Sequence, residues 1–425
     1  MTHEAATPRL SVLICGGGIA GLAAALLLRE DHEVTVLESS TSGEEVGAAV
    51  TFSINASRLL KTSFARAGFD KDKARYVEAE KASLLELQEL HCHNLSVLHE
   101  MDMSFITGKY GEPWWYFARR DVHAELKRAA LSPEGLGRVP VLRTGVRVDQ
   151  VDLGAGQVRT TDGETFSGDV IIGADGIRTA SGTSVFGLLK TVAHGLSAYR
   201  WMIPTAKLRA DPETAIFVDC AKIFIIIGPD RRIIAYPCSN WDSMNFVGIF
   251  PDDSERRMQW DDTASVESIL ETFQDFHPTI LKALSMADGT GVWQLRDRDP
   301  LDRLVKDSFA LIGDAAHPMG PHQGQGACQA LEDAEALRVV MKGATPAEVK
   351  DRLQVFNELR VQRVAQVVRN TRAAAPIPNA TKIKSANEYS DYYWSYKVTE
   401  DATRLMNEHG YSMRVKCSST GEIQL

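Results

Sequence analysis

The chain has 425 residues, 44% of them hydrophobic, enough to bury a sizeable core and to form two domains rather than one. Its formal net charge of -9 is spread along the chain, which argues against nucleic acid as the main partner, because phosphate binding wants a basic surface. Six scattered cysteines without a Cys-x-x-Cys speak against a zinc ribbon or a redox dithiol of that type and suit a reducing, cytoplasmic compartment.

The first element in chain order is Leu10–Leu28, "LSVLICGGGIAGLAAALLL", apolar enough to pass for a signal peptide or a membrane span. Gly16, Gly17 and Gly18 divide it, so it reads as strand, turn and helix in a protein with no stable membrane association. A second strand, "EVTVLE", ends in Glu38. Gly16-x-Gly18-x-x-Gly21 between strand and helix is the pattern of a dinucleotide site. The first glycine allows the tight turn, the second lets backbone approach a pyrophosphate, and the third lets helix pack on strand. The helix N-terminus offers free N–H groups to the anion. Glu38, 22 residues after Gly16, is placed to accept from ribose hydroxyls, which favours FAD or NAD over NADP.

Further along, His91 and His93 alternate as on a strand, but no third ligand is evident and no metal is expected. Trp114 and Trp115 read as pocket wall or core. "DVIIGA" is another apolar strand, running into Asp175-Gly176. From 190 to 285 the chain is β-rich, and "GPDRR" joins two of the runs as a hairpin. "FALIG" is a third buried strand and leads into Asp314 and the loop "GDAAHPMGPHQGQG". Ala327, Ala330, Leu331, Ala334, Leu337 and Met341 then fall at helical spacing, so a helix starting near Gly324–Gly326 points its N-terminus at that loop. A helical pattern from Val349 to Thr371 breaks at "PIPN", and the tail, 380–425, reads as a closing helix.

The glycine turn, the Asp-Gly segment and the Gly-Asp loop, in this order, resemble the class A, single-component FAD-dependent monooxygenases of the aromatic-hydroxylase type. Salicylate-hydroxylase-like enzymes, including fungal phenol-modifying members, are similar in pattern from Leu10 to about Arg372. The resemblance implies an α/β fold: a Rossmann-type FAD-binding domain, an inserted β-rich substrate domain and a C-terminal helical segment. The FAD-binding domain is expected to be discontinuous, over 1–75, 105–185 and 290–372. The substrate sheet is expected over 76–104 and 186–289, with the helical segment over 373–425.

The resemblance also implies roles. Gly16, Gly18 and Gly21 would bind the pyrophosphate and Glu38 the adenosine ribose. Asp314 would hold the ribityl or pyrophosphate side, and Pro321 would abut the flavin ring. Gly324, Gln325 and Gly326 would offer backbone N–H groups to its pyrimidine edge, where a helix N-terminus stabilises the anionic reduced flavin. Ala49 (in "EEVGAAVTFSINASRLL"), Asp175 and Ala327 are further expected contacts. In "FARRDVHAEL" the FAD-contacting arginine is Arg119, with Arg120 the alternative. The Asp-Gly segment departs from the family in lacking its later arginine, which leaves nicotinamide handling open.

Such an enzyme uses NAD(P)H, O2 and a small aromatic substrate, with a flavin hydroperoxide as the oxygenating species. No second G-x-G-x-x-G exists, so NAD(P)H is expected to bind transiently in a groove. Arg200 and Tyr236 match positions that meet the substrate in phenol-dearomatising relatives, to stabilise and to orient a phenolate. The bland reading makes Arg200 an edge salt bridge and Tyr236 core. His322 is either a base near the ring or a group that shapes the turn. A flavin epoxidase and a non-catalytic FAD-fold protein are the rival readings, and monomer and homodimer both stay open.

Overall fold

The computed structural model describes residues 9–42, 49–86, 96–228, 230–252, 263–288, 290–375, 389–411, 416–417 and 423–424. His91–His93 and the Glu44–Ala48 part of the flavin-side segment lie outside the described residues. The strands that position the site are, in chain order, β1 (Ser11–Cys15), β2 (Glu33–Glu38), β3 (Val141–Thr144), β4 (Val170–Gly173) and β5 (Val192–Pro204). They continue with β6 (Lys222–Ile227), β7 (Arg232–Cys238), β8 (Ser243–Pro251), β9 (Thr290–Asp297) and β10 (Phe309–Leu311). The helices needed are α1 (Ile19–Leu28), α2 (Arg119–Leu131), α3 (Gly326–Met341) and α4 (Val349–Ala373).

The apolar runs that end in glycine or acid build one six-stranded sheet, ordered β10-β4-β1-β2-β3 beyond a short Val305–Lys306 edge. Every pair except that edge is parallel. Both faces of such a sheet are covered, which is why β1, β4 and β10 are almost continuously apolar and buried. Register levels the strand ends: Cys15 pairs with Leu37 and with Gly173, and Gly173 pairs with Leu311. Gly16, Glu38, Asp175 and Asp314 therefore emerge along one edge of the sheet. The strand order reverses at β1, and ligands of doubly wound sheets sit at such a switch point.

The β-rich middle of the chain forms an eight-stranded sheet, ordered β9-β5-β8-β7-β6, with a short Thr263–Ala264 edge beside β9 and continued past β6 by Lys81–Glu86 and Ser96–Asp102. β6 and β7 pair antiparallel around the expected hairpin, while β6 runs parallel to Lys81–Glu86, so the sheet is mixed. The domain boundary expected at 290 is corrected here: β9 pairs with β5 and belongs to this larger sheet. Period-2 alternation separates its faces. Tyr199, Trp201, Phe246, Ala235 and Phe224 pack with Ile269, Phe273 and Ile280 of two covering helices. The opposite face carries Arg200, Met202, Val247, Ile234 and Ile223, all only half-buried. That face is open.

The tail differs from expectation. Its closing segment is two helices, Ser390–Trp394 and Val398–Glu408, not one. Arg58 donates to the carbonyls of Trp394 and Tyr396, drawing them out of a continuous helical ladder.

Beneath the Gly313–Gly326 loop lies a buried ion network. Asp333 accepts from Gly313 N at 2.9 Å, His317 Nε2 at 2.7 Å and Arg360 Nε at 2.8 Å. Glu332 accepts from Arg360, Arg363 and Asn55. Burial pushes both carboxyls up, but their partners prevail and hold them below the usual carboxylate range: Arg363 and Arg360 for Glu332, His317 and Arg360 for Asp333. Arg360 is fully buried, so Arg360→Ala would remove the cation shared by two interior carboxylates, leaving Glu332 only Arg363 and Asp333 only His317 as ionic partners, at a cost of about 3–5 kcal/mol. Denaturant unfolding should register that loss, with Arg360→Lys recovering only part because an ammonium cannot fork to both acids. An unchanged unfolding midpoint in Arg360→Ala would remove this network from the account of stability.

Candidate cofactor and active site

At the β1 end, Gly16 has φ +111, and a Cβ there would collide with the Ala174 carbonyl. A Cβ on Gly21 would strike the Gly16 carbonyl, so this glycine seats α1 on the turn. Gly18 is different: its Cβ position has no neighbour within 4 Å. Two glycines are thus required by the chain's own packing and one opens onto space beside a helix N-terminus, which is the cradle a pyrophosphate needs. Glu38 accepts from Gly17 N and from Ser40 N, each at 2.6 Å, so its carboxylate is held at the rim of the turn. His123 of α2 meets the Gly17 carbonyl at 2.8 Å and ties α2 to the same turn.

At the β10 end, Gly313 adopts φ +56 and Asp314 stands exposed between buried residues. A Cβ on Gly326 would lie 3.9 Å from Asp314 Oδ1, so this carboxylate borders the N-terminus of α3. The first N–H groups of α3, around Gly326 and Ala327, have no acceptor within the helix. Gln325 is buried and turns its side chain inward, to Ser53, Asn55 and Gln329. Pro321 opens a single 3-10 turn that ends at Gly324, in the left-handed region. Ala49 pairs with Ala118, immediately before Arg119, and the loop rests on this strand through Gly324 and Thr51.

Asp175 is engaged by the chain itself. It accepts from the Thr179 and Ser181 hydroxyls and from Ser181 N, which caps the following helix and shapes the Asp-Gly turn. Arg298, which sequence reading passed over, joins the two loops by donating to the carbonyls of Ile177 and Ala315. Its signal was "RDRDP", an arginine in a charged run that nevertheless ends up buried.

On the open face of the large sheet, Arg200 lies over the Trp293 ring at 4.5 Å, with Nε buried and unpartnered. Burial and the nearby Arg119 push its guanidinium down to about 10, while Tyr236 and Asp314 act in the opposite direction. Arg119, and not the exposed Arg120, is thus the arginine that faces Arg200. Tyr236 is buried, its hydroxyl pushed up by burial and by Cys238, and therefore a neutral donor. Its ring sits 5.1 Å from that of Tyr116, whose hydroxyl is also buried without a partner. Asn245, between Tyr236 and Met202, leaves both amide atoms buried and unpartnered. Each such orphan costs roughly 1–3 kcal/mol unless a ligand supplies the partner. The sequence reading missed Tyr116 and Asn245; the only signal was a polar residue in an otherwise apolar strand.

His322 accepts at Nδ1 from Arg232 at 2.7 Å. With that lone pair engaged, the neutral ring carries its proton on Nε2 and faces outward as a donor. Burial, Arg232 and His194 push the imidazole down to about 3. Of the two roles the sequence leaves open for His322, this arrangement fits the one that shapes the turn rather than the base.

Residues 144–371 match a family model described as an FAD binding domain. An FAD-dependent monooxygenase of Aspergillus candidus, cfoG, is 32% identical over 96% of this chain and 98% of its own length. Hispidin-3-hydroxylase of Neonothopanus nambi is 31% identical over 93% and 96%. The fold is similar to that of a salicylate hydroxylase solved as a substrate complex, with TM-score 0.73 and 24% identity over 93% and 98% of the two chains.

Two outcomes follow from the geometry. Gly18→Ala should fold normally yet bind FAD more weakly, because its methyl would occupy the cradle; Gly21→Ala should lower stability itself. Flavin content and melting temperature of the two variants separate these effects, and an equal loss of both in Gly18→Ala would contradict the cradle. For His322 the folded state stays neutral to about 3, while the unfolded chain protonates near 6.5, so its contribution is intact above that value and lost as pH falls. The melting temperature of His322→Gln should accordingly decline less on acidification than that of the unaltered protein; parallel declines would count against a buried neutral imidazole.

Proposed function

The chain belongs to the family of class A FAD-dependent monooxygenases, and on that premise we propose that it hydroxylates a small phenolic substrate with NAD(P)H and O2. The observation that carries this reading is the pair Arg200 and Tyr236 on the sheet's open face, with Arg119 and Asp314 in electrostatic range. Bound FAD supplies acceptance of hydride from the nicotinamide and, once reduced, activation of dioxygen.

The chain's own residues supply the rest. The Arg200 guanidinium stabilises the phenolate over the phenol and so raises electron density on the ring carbons ortho and para to the oxygen. Tyr236 donates to the same oxygen and fixes the ring's orientation. Ile223, Ile234, Val247 and Met202 surround the ring with apolar surface and exclude water, which would otherwise quench the activated oxygen. Asp314, Pro321 and the amides at the start of α3 hold the cofactor's ribityl side and ring, with Glu38 on the adenosine ribose. NAD(P)H docks transiently, as one dinucleotide motif serves FAD alone.

A panel of phenols tests the reading: at least one should accelerate NAD(P)H oxidation with matching O2 uptake, and silence across the panel would overturn the substrate class. Arg200→Met should keep FAD while lowering kcat/KM by about 10- to 100-fold, the worth of one charge-assisted hydrogen bond. Its pH profile should also move upward, because the phenol must then ionise unaided. An unchanged profile would separate Arg200 from the phenolate.

A further inference from the structure

We propose that Asn245, assisted by Tyr116, forms a second polar subsite that recognises an uncharged oxygen substituent on the substrate ring, a hydroxyl or a carbonyl. The substrate class is then an aromatic with at least two oxygens. One is ionisable and lies at Arg200 and Tyr236; the other is neutral and lies at Asn245. This inference rests on the phenol-hydroxylase reading and deepens it.

Asn245 is fully buried in a strand that is otherwise apolar, and neither its carboxamide nitrogen nor its oxygen has a partner. Strand parity decides where it points. Met244 and Phe246 on either side belong to the helix-covered core, so Asn245 projects from the opposite face with Val247. Register sets its neighbours: Tyr236 is directly opposite on β7 and Met202 directly opposite on β5, with Arg200 diagonal. Directly opposed Cβ atoms stand about 5 Å apart, so Asn245, Tyr236 and Met202 emerge side by side on one face, with Arg200 on the diagonal. Tyr116, whose hydroxyl is buried and unpartnered, belongs to a different sheet, and its ring lies 5.1 Å from that of Tyr236 at a tilt of 31°.

The donor set fixes the chemistry. A carboxamide offers one donor and one acceptor side and no charge. A hydroxyl matches both sides, and a carbonyl matches the donor. A carboxylate would pair with Arg200, and an apolar substituent would leave both amide atoms without partners. The Met202 side chain, unbranched with three rotatable bonds, is the flanking group that turns aside to admit the substituent.

The test uses the FAD-loaded enzyme, titrated with phenol and with the three dihydroxybenzenes, binding being read from the absorbance of the bound flavin. Expected is at least one dihydroxybenzene that binds about tenfold more tightly than phenol. Asn245→Leu should bring that ratio close to 1 while phenol affinity and FAD content hold and the melting temperature holds or rises, because the change removes two unpartnered polar atoms. Tyr116→Phe should move the ratio part of the way. Where Asn245→Leu does not retain FAD, Asn245→Ala reads the same ratio. A ratio that persists in the folded variant, or an unaltered enzyme that does not discriminate, would overturn the subsite and leave the phenol reading standing. Failure to bind any of the four would overturn both.

Discussion

Glu332 and Asp333 sit side by side in the buried α3, and the shape of the site depends on their being ionised there. Asp333 holds Gly313 N and His317, which fixes where the chain leaves β10 and therefore where Asp314 stands. Glu332 reaches Asn55 and, through it, Gln325 and Ser53, which fixes the start of α3 against the Ala49–Phe52 strand. Arg360 and Arg363 of α4 supply the charge that makes this tolerable in an apolar interior. Well-packed apolar side chains would serve folding stability as well or better. What the ions add is direction: a loop of glycines and prolines has no packing preference strong enough to choose one path, whereas fixed acceptors under both its ends do.

The two sheets contribute differently. The parallel sheet brings Gly16, Glu38, Asp175 and Asp314 to one edge because their strands end in register. The mixed sheet contributes a face. Its helix-covered side is a close-packed aromatic core, and that core makes the sheet rigid enough to present Arg200, Tyr236 and Asn245 from three adjacent strands. Ser239, donating to Asp121 at the start of α2, links the mixed sheet to the helix that also holds the Gly16–Gly18 turn through His123.

The parallel strands and their terminal residues were legible in the sequence because apolar runs of strand length stop abruptly at glycine or acid. Helix α3 was legible from its spacing, yet its ion network was not. Glu332 and Asp333 look like polar interruptions, and their partners lie nearly thirty residues on, at Arg360 and Arg363. Periodicity reports which face is buried, not which charges meet. β9 was assigned to the wrong sheet side of a boundary because its pairing with β5 spans about a hundred residues. The break in the tail was hidden for the same reason: the cause is Arg58, more than three hundred residues away. Asn245 required the structure because a lone polar residue in a strand has meaning only once the two faces are told apart.

The electrostatics of the open face give the arrangement its direction. Arg119 and Arg200 are near enough for each to disfavour the other's charge, and Asp314 is the acid acting on Arg200. A chain selected only for stability would separate such cations or neutralise them. Neither guanidinium can shed its proton at neutral pH, so both stay positively charged. On the proposed reading, a substrate phenolate would be drawn to one side of this pair and the negatively charged parts of a flavin cofactor to the other. On that reading, the same positive charge would favour both binding of the cofactor and ionisation of the substrate.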